Sequence, residues 1–299
     1  MKYRLKWWLG LPLVGILSIY LLLVIVGGGL GDKEPLPDRL AQMSRPILFI
    51  HRGVTGEFPE NSVGAIDQTL RCGFQALEID LQFSADSQFF LFHDFATNRL
   101  TGVDTVASEL TIDELQQCPL RSGNGESTER IPTLADIVER YGDDFLFYFD
   151  MKRHGHHNVL DLADDIAGFI EEHDLFERVM VASAHFGFIT YLEYNHPRVM
   201  TVLEGIDPRV PWLISWLPRK FRTDFIASRH ATVTDGFLTW LEESGMTERY
   251  IAYHVDETRL AASPEWEFEM LMIDHEHSES GICKPEHRPK AVDSVGNKP

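Results

Sequence analysis

GFQALEIDLQFSADSQFFLFHD, Gly73 to Asp94, is the stretch that decides the fold. Phe74 to Phe83 reads as a strand with two acids, Glu78 and Asp80, set two residues apart. Side chains at i and i+2 on a strand face the same side, so both carboxylates point at one place. Phe89 to His93 reads as another short strand, ending in His93-Asp94. Upstream, Ile47-Leu48-Phe49-Ile50 is a continuous apolar run of the kind a buried parallel strand shows, and it ends in His51-Arg52. Downstream, Phe145 to Met151 is a further strand whose end carries Asp150 and Lys152, again at i and i+2.

Helices alternate with these strands. Asn61 to Cys72 places Val63, Ile66 and Leu70 on one face, with Gly73 as its stop. Thr133 to Tyr141 ends at Gly142, and Asn158 can cap a helix with Val159, Ala163, Ile166 and Ile170 on one face. Strands are expected at Val179 to Ser183, Val199 to Leu203, Phe225 to Ala227, Ile251 to Val255 and Met270 to Ile273, with a helix from Asp235 to Ser244. Such alternation predicts a parallel α/β architecture. A count near eight strands fits a closed TIM-type (β/α)8 barrel over 47–283, whose active face lies at the C-terminal strand ends. Two segments break the pattern: 97–130, a small insertion after the second barrel strand region, and 207–222, which contains PWLISWLPRKFR. The end, 284–299, has no apolar periodicity and reads as a flexible tail.

From Trp7 to Gly31 no residue is charged. Residues 1–31 are therefore expected to form a transmembrane helix, long enough to span a ~30 Å hydrocarbon core. A cleaved leader would have a shorter apolar region and an A-x-A-like site, which GGGLG at 27–31 lacks. Lys2, Arg4 and Lys6 favour an inside N-terminus, which puts the barrel outside the cytoplasm on a single-pass anchor. Residues 32–46, with Pro35, Pro37 and Pro46, read as a linker. Trp212 and Trp216, beside Arg219, Lys220 and Arg222, suit a membrane interface, and they are expected to touch the bilayer near the active-site mouth and help admit lipid substrates.

The net charge is −19, and because Lys2, Arg4 and Lys6 are the only charges before residue 31, the remainder carries near −22. Nucleic-acid backbones would be repelled, so a nucleic-acid partner is excluded. A bound cation would reverse the sign locally for an anionic substrate. The three cysteines, Cys72, Cys118 and Cys283, form no CxxC pair, although one disulfide is compatible with them. Carboxylates without clustered Cys or His favour a hard divalent cation, Ca2+ or Mg2+. His51 and His93 can serve as base and acid in phosphoryl transfer, and Arg52 offers a fork for phosphate oxygens. His154, His156 and His157 read as part of a solvated loop.

The order HRG at His51, PEN at Pro59, E-x-D at Glu78, HD at His93 and R-x-TG at Arg99 resembles the glycerophosphodiester phosphodiesterases, most strongly from His51 to Lys152. The resemblance implies a barrel that hydrolyses glycerophosphodiesters with a divalent cation held by Glu78, Asp80 and Asp150. It also implies His51 and His93 as the acid–base pair, Arg52 and Lys152 on the phosphate, and Glu60 close by to orient Arg52 or touch the metal. Asp150 stands where the family usually has a longer glutamate. In the family route the substrate's own 2-hydroxyl attacks phosphorus to give a cyclic glycerol phosphate. Two late stretches depart from the pattern: Tyr253-His254-Val255-Asp256, and Ile273-Asp274-His275-Glu276 in place of a closing Thr-Asp-x-Pro. Alternatives are a lysophospholipase D acting on lysophospholipids at the membrane, or a non-catalytic lipid-binding barrel. A binding module has no need of two acid–base histidines.

Overall fold

The computed structural model describes residues 5–122, 125–152, 158–255 and 268–274, with side chains from residue 15 onward except that of Glu126. In chain order the elements are α1 (Leu5–Val26), α2 (Asp38–Gln42), β1 (Ile47–His51), α3 (Val63–Arg71), β2 (Ala76–Phe83) and β3 (Phe89–Leu91). There follow α4 (Asn98–Thr101), α5 (Ile112–Gln117), β4 (Pro119–Ser122), β5 (Gly125–Arg130), α6 (Leu134–Tyr141), β6 (Leu146–Met151) and α7 (Val159–Glu172). The series closes with β7 (Val179–Ser183), α8 (Phe186–Asn195), β8 (Met200–Glu204), α9 (Trp212–Ser215), β9 (Phe225–Arg229), α10 (Asp235–Glu243), β10 (Tyr250–Val255) and β11 (Met270–Ile273).

Eight strands, β1, β2 and β6 to β11, form a parallel sheet that closes on itself through β1–β2 and β1–β11, giving the expected barrel. The run at 89–93 is corrected. β3 is antiparallel to β2, with Leu81 opposite Leu91 and Phe83 opposite Phe89, and it stands outside the closed ring. The cause is the connection Ser84–Gln88, tightened by Ser87 N donating to Ser84 O and by the left-handed φ of 62° at Ser87. So short a link can join only antiparallel neighbours.

Alternation sorts the strand residues into two apolar layers. Ile47, Phe49, Ala76, Leu146, Tyr148, Met180, Met200, Val202, Phe225, Ile251, Met270 and Met272 fill the barrel interior. The intervening residues, among them Ile50, Leu77, Phe147, Val181 and Leu271, pack outward on the helices. Helix starts follow the sequence: Ser62, Thr133, Asn158 and Thr234 each accept a bond from a backbone N–H of the first turn. The excursion 97–130 folds as α4, α5 and the β4–β5 hairpin around its own cluster, including Phe92, Leu100, Leu115 and Leu120.

The linker docks at the end of the barrel where strands begin. Leu40 of α2 is fully buried with the interior cluster. Lys33 Nζ lies 2.5 Å from Glu193 Oε2 and 2.9 Å from Asp224 Oδ1, and Arg249 donates to the Glu34 carbonyl. Asp224 and Arg249 immediately precede β9 and β10, opposite the strand ends. Of the expected anchor, α1 is helical from Leu5, but side chains before Gly15 lie outside the described residues. Among the described residues no helix is long and apolar enough to cross a membrane, so the transmembrane element of the expected fold is not borne out here. Residues 153–157, with the histidine run, and the tail at 284–299 also lie outside the described residues. Cys72 is held in a disulfide and Cys118 is a free thiol.

Candidate active site

The inward columns of the barrel turn polar at the C-terminal strand ends. On β2 the column Ala76, Glu78, Asp80, Gln82 faces in; on β6 it is Leu146, Tyr148, Asp150; β8 adds Glu204, β1 ends in His51, and Asp274 follows β11. Register aligns them: His51 is opposite Glu78, and Asp80 is opposite Asp150. One carboxylate oxygen from each of Glu78, Asp80 and Asp150 lies within 4.8 Å of the other two.

Two cations oppose these three acids. Arg52 Nε is 2.9 Å from Asp80 Oδ2, and Lys152 Nζ is 2.9 Å from Asp80 Oδ1 and also pairs with Asp150. Burial would raise the Asp80 carboxyl, but Lys152 and Arg52 outweigh it and hold it at about 2. Burial pushes Glu78 well above the usual carboxylate range, and Asp80 and Asp150 add to the push. Yet Arg52 Nε and Asp80 Oδ1 lack a well-directed hydrogen bond, although opposite charge is near. Three carboxylates against two cations leave a negative excess, which disfavours the charged form of Glu78. A hard cation would relieve that excess, and all-oxygen donors suit Ca2+ or Mg2+. The residues therefore fit a divalent cation, while the donor set does not choose between the two.

Both histidines have Nδ1 engaged by an aspartate. His51 Nδ1 lies 2.5 Å from Asp274 Oδ1, and His93 Nδ1 lies 2.7 Å from Asp94 Oδ1. A carboxylate only accepts, so in each ring Nδ1 carries the hydrogen and Nε2 is left for the site. The His51 bond holds the Asp274 carboxyl below its ordinary range. His51 Nε2 is 3.9 Å from Glu78 Oε2. Although β3 lies outside the ring, Gln82 Nε2 donates to the carbonyls of Phe92 and Asp94, at 2.8 and 2.7 Å, and fixes the His93 turn over the barrel mouth.

Glu60 bridges two arginines. Its carboxylate accepts from Arg52 Nη1 at 2.9 Å and from two Arg99 nitrogens at 2.9 and 2.7 Å. Arg99 Nε continues to Asp94 at 2.5 Å, so a charged chain runs Arg52–Glu60–Arg99–Asp94–His93. Arg52 and Asn61 both adopt left-handed φ, 58° and 56°. Such residues are strained, at about 1–3 kcal/mol each, and persist where surroundings hold them. Here Asn61 N donates to Arg52 O, Asn61 Nδ2 donates to Asp80 Oδ2 at 2.7 Å, and Arg52 N donates to Glu78 Oε2 at 2.9 Å.

Of the site residues expected from sequence, His51, Arg52, Glu60, Glu78, Asp80, Asp150 and Lys152 converge directly, and His93 joins them through its turn. Arg52 and Lys152, expected on the phosphate, pair with carboxylates here. Trp212 and Trp216 are elsewhere, on the outer β8–β9 connection, packed edge to face with centroids 5.3 Å apart. Sequence reading gave no role to Asp274, Asp94, Arg99, Asn61, Gln82, Tyr148 or Glu204. Gln82 and Tyr148 were signalled by the i, i+2 parity of their strands, whereas Asp274 depends on barrel closure, which spacing does not show. His254, with φ 55°, brings a third imidazole to 6.0 Å from His51.

Residues 51–261 match the model of the glycerophosphoryl diester phosphodiesterase family. A glycerophosphodiester phosphodiesterase of Caldanaerobacter subterraneus is 28% identical over 142 residues, 46% of this chain and 58% of that one. Glycerophosphodiester phosphodiesterase 1 of Rattus norvegicus is 29% identical over 210 residues, 66% of this chain and 59% of that one. The chain spans between 58% and 66% of the length of the first relatives it matches. A phosphodiesterase of Oleispira antarctica, solved with its product sn-glycerol-3-phosphate, shares the fold with a TM-score of 0.65 and 16% identity, covering 80% of this chain and 96% of that one. With the family model matched over most of the barrel and its paired histidines and carboxylates assembled at one mouth, the chain belongs to the glycerophosphoryl diester phosphodiesterase family.

Proposed function

We propose that the protein hydrolyses glycerophosphodiesters to an alcohol and glycerol phosphate, with His51 and His93 as acid and base. One observation carries this reading: three carboxylates converge within 4.8 Å, and the free nitrogen of an aspartate-held histidine stands 3.9 Å from Glu78. Glu78, Asp80 and Asp150 would hold a divalent cation, which when bound polarises phosphoryl oxygens and offsets their charge.

The remaining steps fall to the chain's own residues. One histidine Nε2 takes the proton of the substrate's 2-hydroxyl as that oxygen bonds to phosphorus. The other gives a proton to the departing alcohol oxygen as its bond to phosphorus breaks. The product is a cyclic glycerol phosphate, which water opens with the two rings in exchanged roles. Asp274 and Asp94 hold each ring in one tautomer and stabilise the imidazolium form. Arg52 and Lys152 are positioned to stabilise charge on the phosphoryl oxygens, and burial strengthens that attraction. Choline release from glycerophosphocholine, with and without chelator, tests the reading. Activity that ignores the chelator sinks the metal, and normal turnover of the 2-deoxy analogue sinks the cyclic route.

We infer further that the chain is held at a membrane by its N-terminal helix, with the barrel outside the cytoplasm. The charge-free stretch after Lys6 supports this, and the disulfide at Cys72 suits an oxidising compartment. A topology reporter fused behind the barrel tests it: a reporter active only in the cytoplasm excludes the arrangement. The linker is clamped at the barrel end opposite the mouth, which favours a water-soluble diester over a lysophospholipid.

A further inference from the structure

The β8–β9 connection, residues 205–224, differs from its neighbours. The flanking strand pairs are joined by α8 and α10, of 10 and 9 residues, whereas this link has only the four-residue α9 and a short turn at Arg219–Phe221. The end of α1 docks on this link. Lys220 N donates to Gly27 O and Arg219 N to Gly29 O, both at 2.9 Å, and Tyr20 Oη donates to Trp216 O at 3.0 Å. A Cβ on Gly27 would fall 2.4 Å from Pro218 Cβ and 3.0 Å from Phe221, so the approach requires glycine. Phe221 in turn stacks on Tyr194 of α8, with centroids 5.2 Å apart and planes 9° from parallel. The helix end thus packs on the link, and the link on α8 of the barrel.

Its outer surface is apolar. Trp212, Leu213 and Trp216 are 44%, 49% and 61% exposed. Ile16, Leu17, Ile19, Leu22, Leu23 and Ile25 of α1 are exposed at every angle around the helix axis. A helix apolar all round must be covered by something other than water. Three cations flank this surface: Arg219 pairs with Glu34, Arg222 donates to the carbonyls of Ser215, Leu217 and Leu30, and the Lys220 stem lies over Gly28.

We propose that Trp212, Leu213 and Trp216 form an interfacial foot that rests in the headgroup–acyl boundary of a phospholipid bilayer, beside the end of α1. The occupant follows from continuity: the foot is hydrogen-bonded to a helix whose surface calls for lipid, and exposed tryptophans favour that boundary. Contact is by aromatic burial, and Arg219, Lys220 and Arg222 at its edge add attraction where the lipid is anionic. The proposal rests on the reading of α1 as a membrane helix.

The test uses the full chain reconstituted in phosphatidylcholine vesicles, with or without phosphatidylglycerol, and lipids brominated at shallow acyl positions as quenchers of tryptophan emission. In W7F/W8F protein, quenching is expected to persist in both vesicle types and to be lost on adding W212F/W216F, with an unchanged circular dichroism melt. If W212F/W216F protein is quenched while W7F/W8F protein is not, α1 is in the bilayer and the foot is refuted. If neither is quenched, the reading of α1 fails and the foot with it. Emission from Trp212 and Trp216 that acrylamide quenches and bromolipid does not also overturns the proposal.

Discussion

His51 Nδ1 lies 2.5 Å from Asp274 Oδ1, although the two residues are separated by most of the chain. They meet because β1 and β11 are neighbours where the barrel closes. The bond fixes the hydrogen on Nδ1 and leaves Nε2 toward Glu78. Asp274→Asn replaces the acceptor with an amide that can offer its NH2 to Nδ1 and invert the tautomer. The expected result is a kcat lower by about 10²–10⁴ with KM nearly unchanged, because an interaction needed in the transition state is removed. Steady-state choline release measures it, and an unaltered kcat would show that the pair is merely structural.

Asp150 has the same short side chain as Asp80, and register places the two directly opposite each other. A cation at this site stabilises the fold by mass action, about 2.7 kcal/mol at a hundred times Kd. For a domain of this size that is a rise of roughly 5–10 °C in Tm. Thermal melts with Ca2+ or Mg2+ should show such a rise in the wild type and in Asp150→Glu, and none in Asp150→Ala. An undiminished rise in Asp150→Ala would remove Asp150 from the ligand set.

Much of the site was legible because strand parity is a local property. Glu78 with Asp80, and Asp150 with Lys152, could be assigned to shared faces from spacing alone, and both strands formed within two residues of expectation. What was not legible depended on closure or on side-chain reach. The β3 reversal came from a short turn within a run of strand-like residues, where apolar pattern cannot give direction. Asp274 lies just past the last strand and has no local signal for its partner. Arg99 and Glu60 sit in the R-x-TG and PEN motifs, but their joint reach to Asp94 and Arg52 requires the folded excursion.

Far from the mouth, Glu193 supplies a pH dependence of stability. Burial and the nearby Asp224 push its carboxyl up to about 8, although Lys33, 2.5 Å away, pulls the other way. The native state thus keeps a proton that the unfolded chain releases near pH 4.5. This contribution to stability is complete below that pH and is lost as pH rises toward 8, with a slope of at most about 1.4 kcal/mol per unit. Urea midpoints are expected to fall between pH 5 and 8 and to fall less steeply in Glu193→Gln. Equal slopes in the two proteins would place the charge change elsewhere.

Tyr148 Oη donates to Glu204 Oε1 at 2.6 Å inside the barrel. Burial, with Asp150 adding to it, pushes Glu204 up to about 8, so its carboxyl is largely neutral at pH 7. The two charge states make different predictions for Tyr148→Phe in chelator. Stripping the donor from a buried carboxylate costs about 3–5 kcal/mol, since a charge is left uncompensated. Losing one hydrogen bond to a neutral acid costs only about 0.5–1.5 kcal/mol. The smaller loss is expected at pH 7, rising toward the larger as pH passes 8 and Glu204 ionises. Glu204→Gln, which is neutral at every pH, should remove that rise when combined with Tyr148→Phe. Urea unfolding of the two single variants and the double variant at pH 7 and 9 measures both quantities, and a large loss already at pH 7 would mean that Glu204 is charged there.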